Sequence, residues 1–256
     1  MTDTTDHAAV APADALHASP PTAAAATLGA LTALCAGIAI AASVGVLPEA
    51  LLFAFKPLTT LLIIVHAARR TGGDASVRRG VLLGLALSLA GDVALLWPQQ
   101  GFLAGLVSFL LAHLAYVVAF SRAERFAARR WPFVAYAVAA GTVLSLLWPG
   151  VPAGLRVPVV VYVLCLATMA SQAAVVWRAG AAAGGGTRRG AVLALGGALF
   201  VVSDSLLATN KFAGGVPWAG LWILATYWAA QWCIASWVAP VAAGVDPRTR
   251  SPYLHG

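Results

Sequence analysis

Lys56, Asp92 and Asp204 each stand inside a long apolar stretch of this 256-residue chain, and no other carboxylate does. Asp3, Asp6 and Asp14 fall in the first segment, Asp74, Glu124 and Asp246 in short polar segments, and Glu49 at the edge of an apolar run. A charged side chain within a bilayer costs about 2.5 to 3.5 kcal/mol on insertion scales and normally faces an interior cavity. One lysine against two aspartates leaves one excess negative charge in a low dielectric, so the two acids are expected to hold one proton between them. An ionised carboxylate beside a protonated one supplies a general base and a general acid. The competing structural reading has Lys56 neutralise one aspartate while Ser or Tyr hydroxyls bond the other.

His113, Tyr227 and Gln231 extend this set. His113 and Tyr116 share a helical face, Gln231 lies one turn from Tyr227, and Lys56 lies one turn from Thr60. Gly84, Ser88 and Asp92 recur every four residues, as do Gly196, Phe200 and Asp204, so each acid continues a stripe that begins with glycine. Gln172 is a weaker candidate, and His66 reads as interfacial. Ser203 and Ser205 flank Asp204 without a G-x-S-x-G elbow. No H-E-x-x-H, P-loop or dinucleotide fingerprint is present. Cys35, Cys165 and Cys233 lie one each in three apolar runs, the pattern of buried thiols that pack as small apolar residues.

The elements that carry these residues must be membrane helices. The chain is 61% hydrophobic and 10% charged, with mean hydropathy +0.85, whereas soluble domains are about 25% charged. Eight spans are predicted, at 27–47, 50–68, 80–96, 102–121, 131–148, 157–178, 190–208 and 218–240. The net charge of +7 reports topology rather than nucleic-acid binding. Thirteen of sixteen basic residues follow the even-numbered spans, Arg156 and Lys211 lie on the opposite side, and Lys56 is intramembrane. Positive charge stays cytoplasmic in short loops, so both termini are expected there. Trp97, Trp131, Trp148 and Trp218 fall at span ends, where aromatic belts form. The expected organisation is all-α: a disordered cytoplasmic tail over 1–26 without the basic start of a signal peptide, an eight-helix transmembrane domain over 27–240, and a cytoplasmic tail over 241–256.

Counting about 1.5 Å per residue from the basic side of a ~30 Å core puts Asp92, Asp204, Lys56, Tyr227 and His113 in one slab about 8 Å thick. Five helices are thereby expected to meet at one cavity. Leu87-Ser88-Leu89-Ala90-Gly91-Asp92 echoes Leu199-Phe200-Val201-Val202-Ser203-Asp204, as a parallel repeat of two four-helix halves would.

Lys56-Pro57-Leu58-Thr59-Thr60, Ser88-Leu89-Ala90-Gly91-Asp92, His113-Leu114-Ala115-Tyr116, Ser203-Asp204 and Tyr227-Trp228-Ala229-Ala230-Gln231 follow one another on successive spans. In this order and setting, residues 28 to 240 resemble the YhhN family of integral membrane proteins, the lysoplasmalogenases. The resemblance implies hydrolysis of the vinyl ether of a lysophospholipid within the bilayer, giving a fatty aldehyde and glycerophosphoethanolamine or glycerophosphocholine. It implies Lys56, Asp92, His113, Asp204, Tyr227 and Gln231 as functional positions.

Vinyl ethers are hydrolysed by protonation of the outer carbon, which leaves an oxocarbenium ion for water to capture. Asp92 and Asp204 are expected to share the acid and base roles, in either order, as paired carboxylates do in glycoside hydrolysis, with no metal or cofactor required. Lys56 is expected to hold one acid ionised or to meet the substrate phosphate, while Tyr227, Gln231 and His113 orient water and the glycerol hydroxyl. A proton-coupled transporter or lipid-handling protein is the alternative, because intramembrane acids also relay protons. The spans lack the broken helices typical of transporters, apart from Pro57 and Pro158 near span starts. Fourteen Arg against two Lys, with abundant Ala, suggest a GC-rich bacterial genome and hence a bacterial inner membrane.

Overall fold

A computed structural model describes residues 23–182 and 187–239, so most of both expected tails lies outside the described residues. Among the described residues all regular structure is helical. The helices are α1 (Ala23–Ser43), α2 (Ala50–Ala68), α3 (Ala75–Ala94), α4 (Phe102–Ala123), α5 (Trp131–Leu147), α6 (Arg156–Ala182), α7 (Thr187–Phe212) and α8 (Ala219–Trp237), with two 3-10 turns between α5 and α6. Each predicted span has its helix. Apolar sequence can span lipid in this form because an α-helix satisfies its backbone hydrogen bonds internally.

Among the described residues six helices are long and apolar enough to cross a membrane: α1, α2, α4, α6, α7, and α5 together with the 3-10 turn that continues it to Gly150. The other two fall short for identifiable reasons. α3 opens on Ser76, Arg78 and Arg79, and α8 spends positions on Tyr227, Gln231 and four tryptophans. α6 and α7, at 27 and 26 residues, extend beyond the predicted spans. Asp74 caps α3, its Oδ1 accepting from the Ser76 backbone N–H at 2.6 Å and the Ser76 hydroxyl at 2.7 Å.

The packing order closes a ring. α2 packs on α3, α3 on α4, α4 on α6, α6 on α7, α7 on α8, and α8 returns to α2. α1 lies outside against α2 and α8, and α5 lies outside against α6. Within the ring, exchanging α2, α3 and α4 with α6, α7 and α8 preserves each neighbour, as the parallel repeat suggested by the echo would, whereas the outer helices differ, α1 meeting α8 and α5 meeting α7. Glycine contacts repeat the relation. A Cβ at Gly84 would strike the ring of Tyr116 on α4, and one at Gly196 would stand 3.0 Å from Ile234 on α8. Both glycines lie eight residues before their aspartate, and both let backbones approach closely.

The end of the bundle carrying most of the basic residues is tied separately. Arg70 donates to the carbonyls of Ser236 at 2.8 Å and Val238 at 2.6 Å, satisfying groups at the α8 C-terminus. His66 stacks on Trp232 and meets the Ser236 hydroxyl at 3.2 Å. Gln172 holds the α4–α5 loop, accepting from the Ala127 N–H and donating to the Glu124 carbonyl. Its role is therefore a loop anchor. Cys35 and Cys165 are buried as expected, and Cys233 is only half-buried.

Candidate active site

Every helix of the ring places a polar side chain toward the interior. α2 contributes Lys56 and Thr60, α3 Asp92, α4 His113 and Tyr116, α6 Tyr162, α7 Asp204, and α8 Tyr227 and Gln231. Pro57 removes one backbone donor beside Lys56, so the first turns of α2 lack a helical bond to the Phe53 carbonyl.

Asp92 is the terminus of a directed hydrogen-bond network. Thr60 donates to its Oδ2 at 2.6 Å and Tyr227 donates to the same oxygen at 2.7 Å. The direction is fixed by groups that only donate. Trp228 Nε1–H occupies the Thr60 oxygen at 3.2 Å, and Gln231 Nε2–H occupies the Tyr227 oxygen at 3.2 Å, so both hydroxyl protons point at the carboxylate. Tyr116 in turn donates to Gln231 Oε1 at 2.8 Å. Lys56 Nζ stands 3.8 Å from Asp92 Oδ1, the only salt bridge among the described residues. That separation is electrostatic contact beyond hydrogen-bond length. A buried ion pair gains little unless further donors satisfy the carboxylate, and two hydroxyls do so here.

Asp204 has a sparser setting. It accepts from the Tyr162 hydroxyl and is half-buried, with the rest of the carboxyl exposed to an apolar space. Ser203 turns away to donate to the Ile223 carbonyl at 3.0 Å.

The expected single cavity resolves into two adjoining ones. The first, ≈ 180 Å³, is reached by Lys56, Asp92, Tyr227, Ser203, Asn210 and Lys211. The second, ≈ 90 Å³, lies between α4, α5, α6 and α7, is walled by aliphatic and aromatic groups such as Tyr136, Leu144 and Leu166, and exposes Asp204 and Ser205. Leu95, Phe102, Phe109 and Leu207 line both and form the partition. Phe109 packs edge-on against Tyr227, and a Cβ at Gly91 would stand 2.6 Å from its ring.

The structure thus joins Lys56, Asp92, Tyr227 and Gln231 in one network and puts Asp204 across the partition. His113 joins neither cavity. Its ring is fully buried, edge-on to Tyr162 and Phe200, and neither nitrogen has a hydrogen-bond partner among the described residues. Sequence reasoning did not select Tyr162, Thr60, Asn210 or Lys211 as site residues. The repeat was the signal for Tyr162, since α6 stands to Asp204 as α2 stands to Asp92. Among the described residues no three His, Cys, Asp or Glu side chains gather as a metal-binding set.

The YhhN family profile matches residues 51–238, which takes in every residue of both cavities. The chain is 35% identical to the lysoplasmalogenase TMEM86B of Sus scrofa over 175 residues, covering 68% of this chain and 69% of that protein. It is 35% identical to the lysoplasmalogenase TMEM86A of Homo sapiens over 180 residues, covering 68% and 71%. It is also 30% identical to a lysoplasmalogenase of Mycobacterium bovis over 174 residues, covering 63% and 60%. No solved structure gives a significant match. With the profile spanning seven of the eight helices, this chain belongs to the YhhN family of membrane proteins.

Proposed function

We propose that this chain is a lysoplasmalogenase that hydrolyses the vinyl ether of its substrate within the bilayer, releasing a fatty aldehyde and glycerophosphoethanolamine or glycerophosphocholine. The relatives' activity supports the reaction. The observation that carries the roles is the contrast between the two aspartates. Three groups converge on Asp92 as donors or cation, which suits a carboxylate, whereas Asp204 meets one hydroxyl and an apolar wall, which suits a neutral acid.

In this reading Asp204 gives its proton to the outer vinyl carbon, generating an oxocarbenium ion at the ether carbon. Asp92 takes a proton from water as the water oxygen bonds to that carbon. The hemiacetal then collapses. Asp92 returns its proton to the departing glycerol oxygen, and the hemiacetal hydroxyl passes its proton to Asp204, restoring both acids. Lys56 holds Asp92 ionised, and Tyr227, fixed by Gln231, orients it. General acid and base catalysis of this kind contributes about 10²–10⁴-fold each.

All eight helices cross the membrane in this reading, with both termini cytoplasmic and the chain in a bacterial inner membrane. α3 and α8 belong among them because they complete the ring. The test is aldehyde release from lysoplasmalogen by purified protein in detergent, with and without EDTA. EDTA-insensitive release is expected. No release from folded protein overturns the reading, and release lost on chelation overturns the two-carboxylate cycle.

A further inference from the structure

We infer that the two cavities divide a single amphiphile: the cavity of Lys56 and Lys211 takes the phosphodiester of the headgroup, the apolar cavity takes the hydrocarbon chain, and Lys211 selects for phosphate. The inference rests on the lyso-lipid reading above and extends it to residues that the reading does not use.

The charges of the first cavity do not balance. Lys56, which is buried, and Lys211, which is exposed, line this cavity with one carboxylate, Asp92, so one positive charge is in excess. Lys56 Nζ makes no hydrogen bond among the described residues and stands 3.8 Å from Asp92. Lys211 Nζ lies over the ring of Phe102 at 4.7 Å from its centre, without a carboxylate partner among the described residues. Asn210, an exposed residue of the lining, accepts from the Val216 N–H at 3.0 Å through Oδ1, which leaves its amide N–H groups free to donate. Two ammonium groups, an amide donor and one net positive charge match a phosphodiester, which carries one negative charge and several acceptor oxygens.

The apolar cavity meets the requirement of the other end. Its outer wall is α5, whose side chains are mostly left uncovered by the rest of the bundle, so it borders the hydrocarbon layer. A lipid lying across the Phe109 partition brings the vinyl carbon on the chain side toward Asp204 and the glycerol oxygen toward Asp92. That orientation agrees with the acid and base roles derived from hydrogen bonding, although it comes from cavity polarity.

The test measures binding of non-hydrolysable saturated ethers to the purified full chain: 1-O-hexadecyl-glycerophosphoethanolamine, its octyl analogue, and 1-O-hexadecyl-glycerol, which lacks phosphate. Wild type is expected to bind the phosphate-bearing hexadecyl lipid more tightly than the glycerol ether. Lys211→Gln is expected to weaken that lipid about tenfold, the scale of one charge-assisted hydrogen bond, without weakening the glycerol ether, and Lys211→Arg to restore it. Ala140→Phe, which fills the apolar cavity from α5, is expected to weaken the hexadecyl lipid but not the octyl one. Equal loss for both head types in Lys211→Gln, or no loss, overturns the phosphate site. Equal loss for both chain lengths in Ala140→Phe overturns the chain site. Aldehyde release is assayed separately, so failure of the hydrolase reading leaves the binding result interpretable.

Discussion

Lys56 and Tyr162 occupy equivalent places in the two halves of the bundle: each is the seventh residue of its helix, and each reaches the aspartate of the helix that follows. The pair makes the site asymmetric. Where one half supplies an ammonium to Asp92, the other supplies a neutral hydroxyl to Asp204, so two matching carboxyls are given different charge environments.

Asp92→Asn and Asp204→Asn are each expected to lower aldehyde release by at least about 10²-fold. Their stabilities should differ. Asp92→Asn strands the Lys56 charge and should cost about 3 kcal/mol, whereas Asp204→Asn should melt near wild type. Activity and detergent-phase melting of the two variants decide this, and near-full activity in either removes that residue from the mechanism.

Tyr162→Phe deletes the one side-chain hydrogen bond to Asp204 among the described residues and should lower kcat about tenfold while leaving KM within about twofold. A change confined to KM would assign Tyr162 to substrate packing.

His113→Leu removes two buried nitrogens that have no hydrogen-bond partner among the described residues. It should raise the melting temperature by a few degrees, on the order of 1 kcal/mol, because an apolar group replaces unsatisfied polar atoms. A simultaneous fall in kcat would mark a stability cost retained for function, while unchanged kcat would make His113 a packing residue.

Gly84→Ala puts a methyl group into the Tyr116 ring and should cost about 1–3 kcal/mol through separation of α3 and α4. Gly141→Ala, where a Cβ meets nothing within 4 Å, serves as the control and should melt like wild type.

Hydrogen bonds from the Ser76 hydroxyl and then its backbone N–H hold the Asp74 carboxyl below the usual aspartate range. A depressed folded value means the cap stabilises α3 above the ordinary aspartate pKa and is lost as pH falls through the folded value. Amide exchange at the start of α3 should therefore quicken in acid relative to α4, and Asp74→Ala should abolish the difference.

Composition and charge order were enough to define an all-helical membrane chain with its eight helices. Lipid leaves the backbone few alternatives to a helix, and basic residues mark where helices end. The cost of an intramembrane charge likewise singled out Lys56, Asp92 and Asp204 without any partner being visible. What the linear chain could not determine was which side chains meet. Depth along a helix is set by residue number, but rotation about its axis and the choice of neighbour depend on packing between helices. Only the closed ring joined Lys56 to Asp92, put Tyr162 on Asp204, left His113 without a partner, and split one expected cavity at Phe109. Lys211 shows the same limit. Its sequence position marked a polar end, and the fold brought it to the cavity of Asp92 because α7 runs long enough to carry it there.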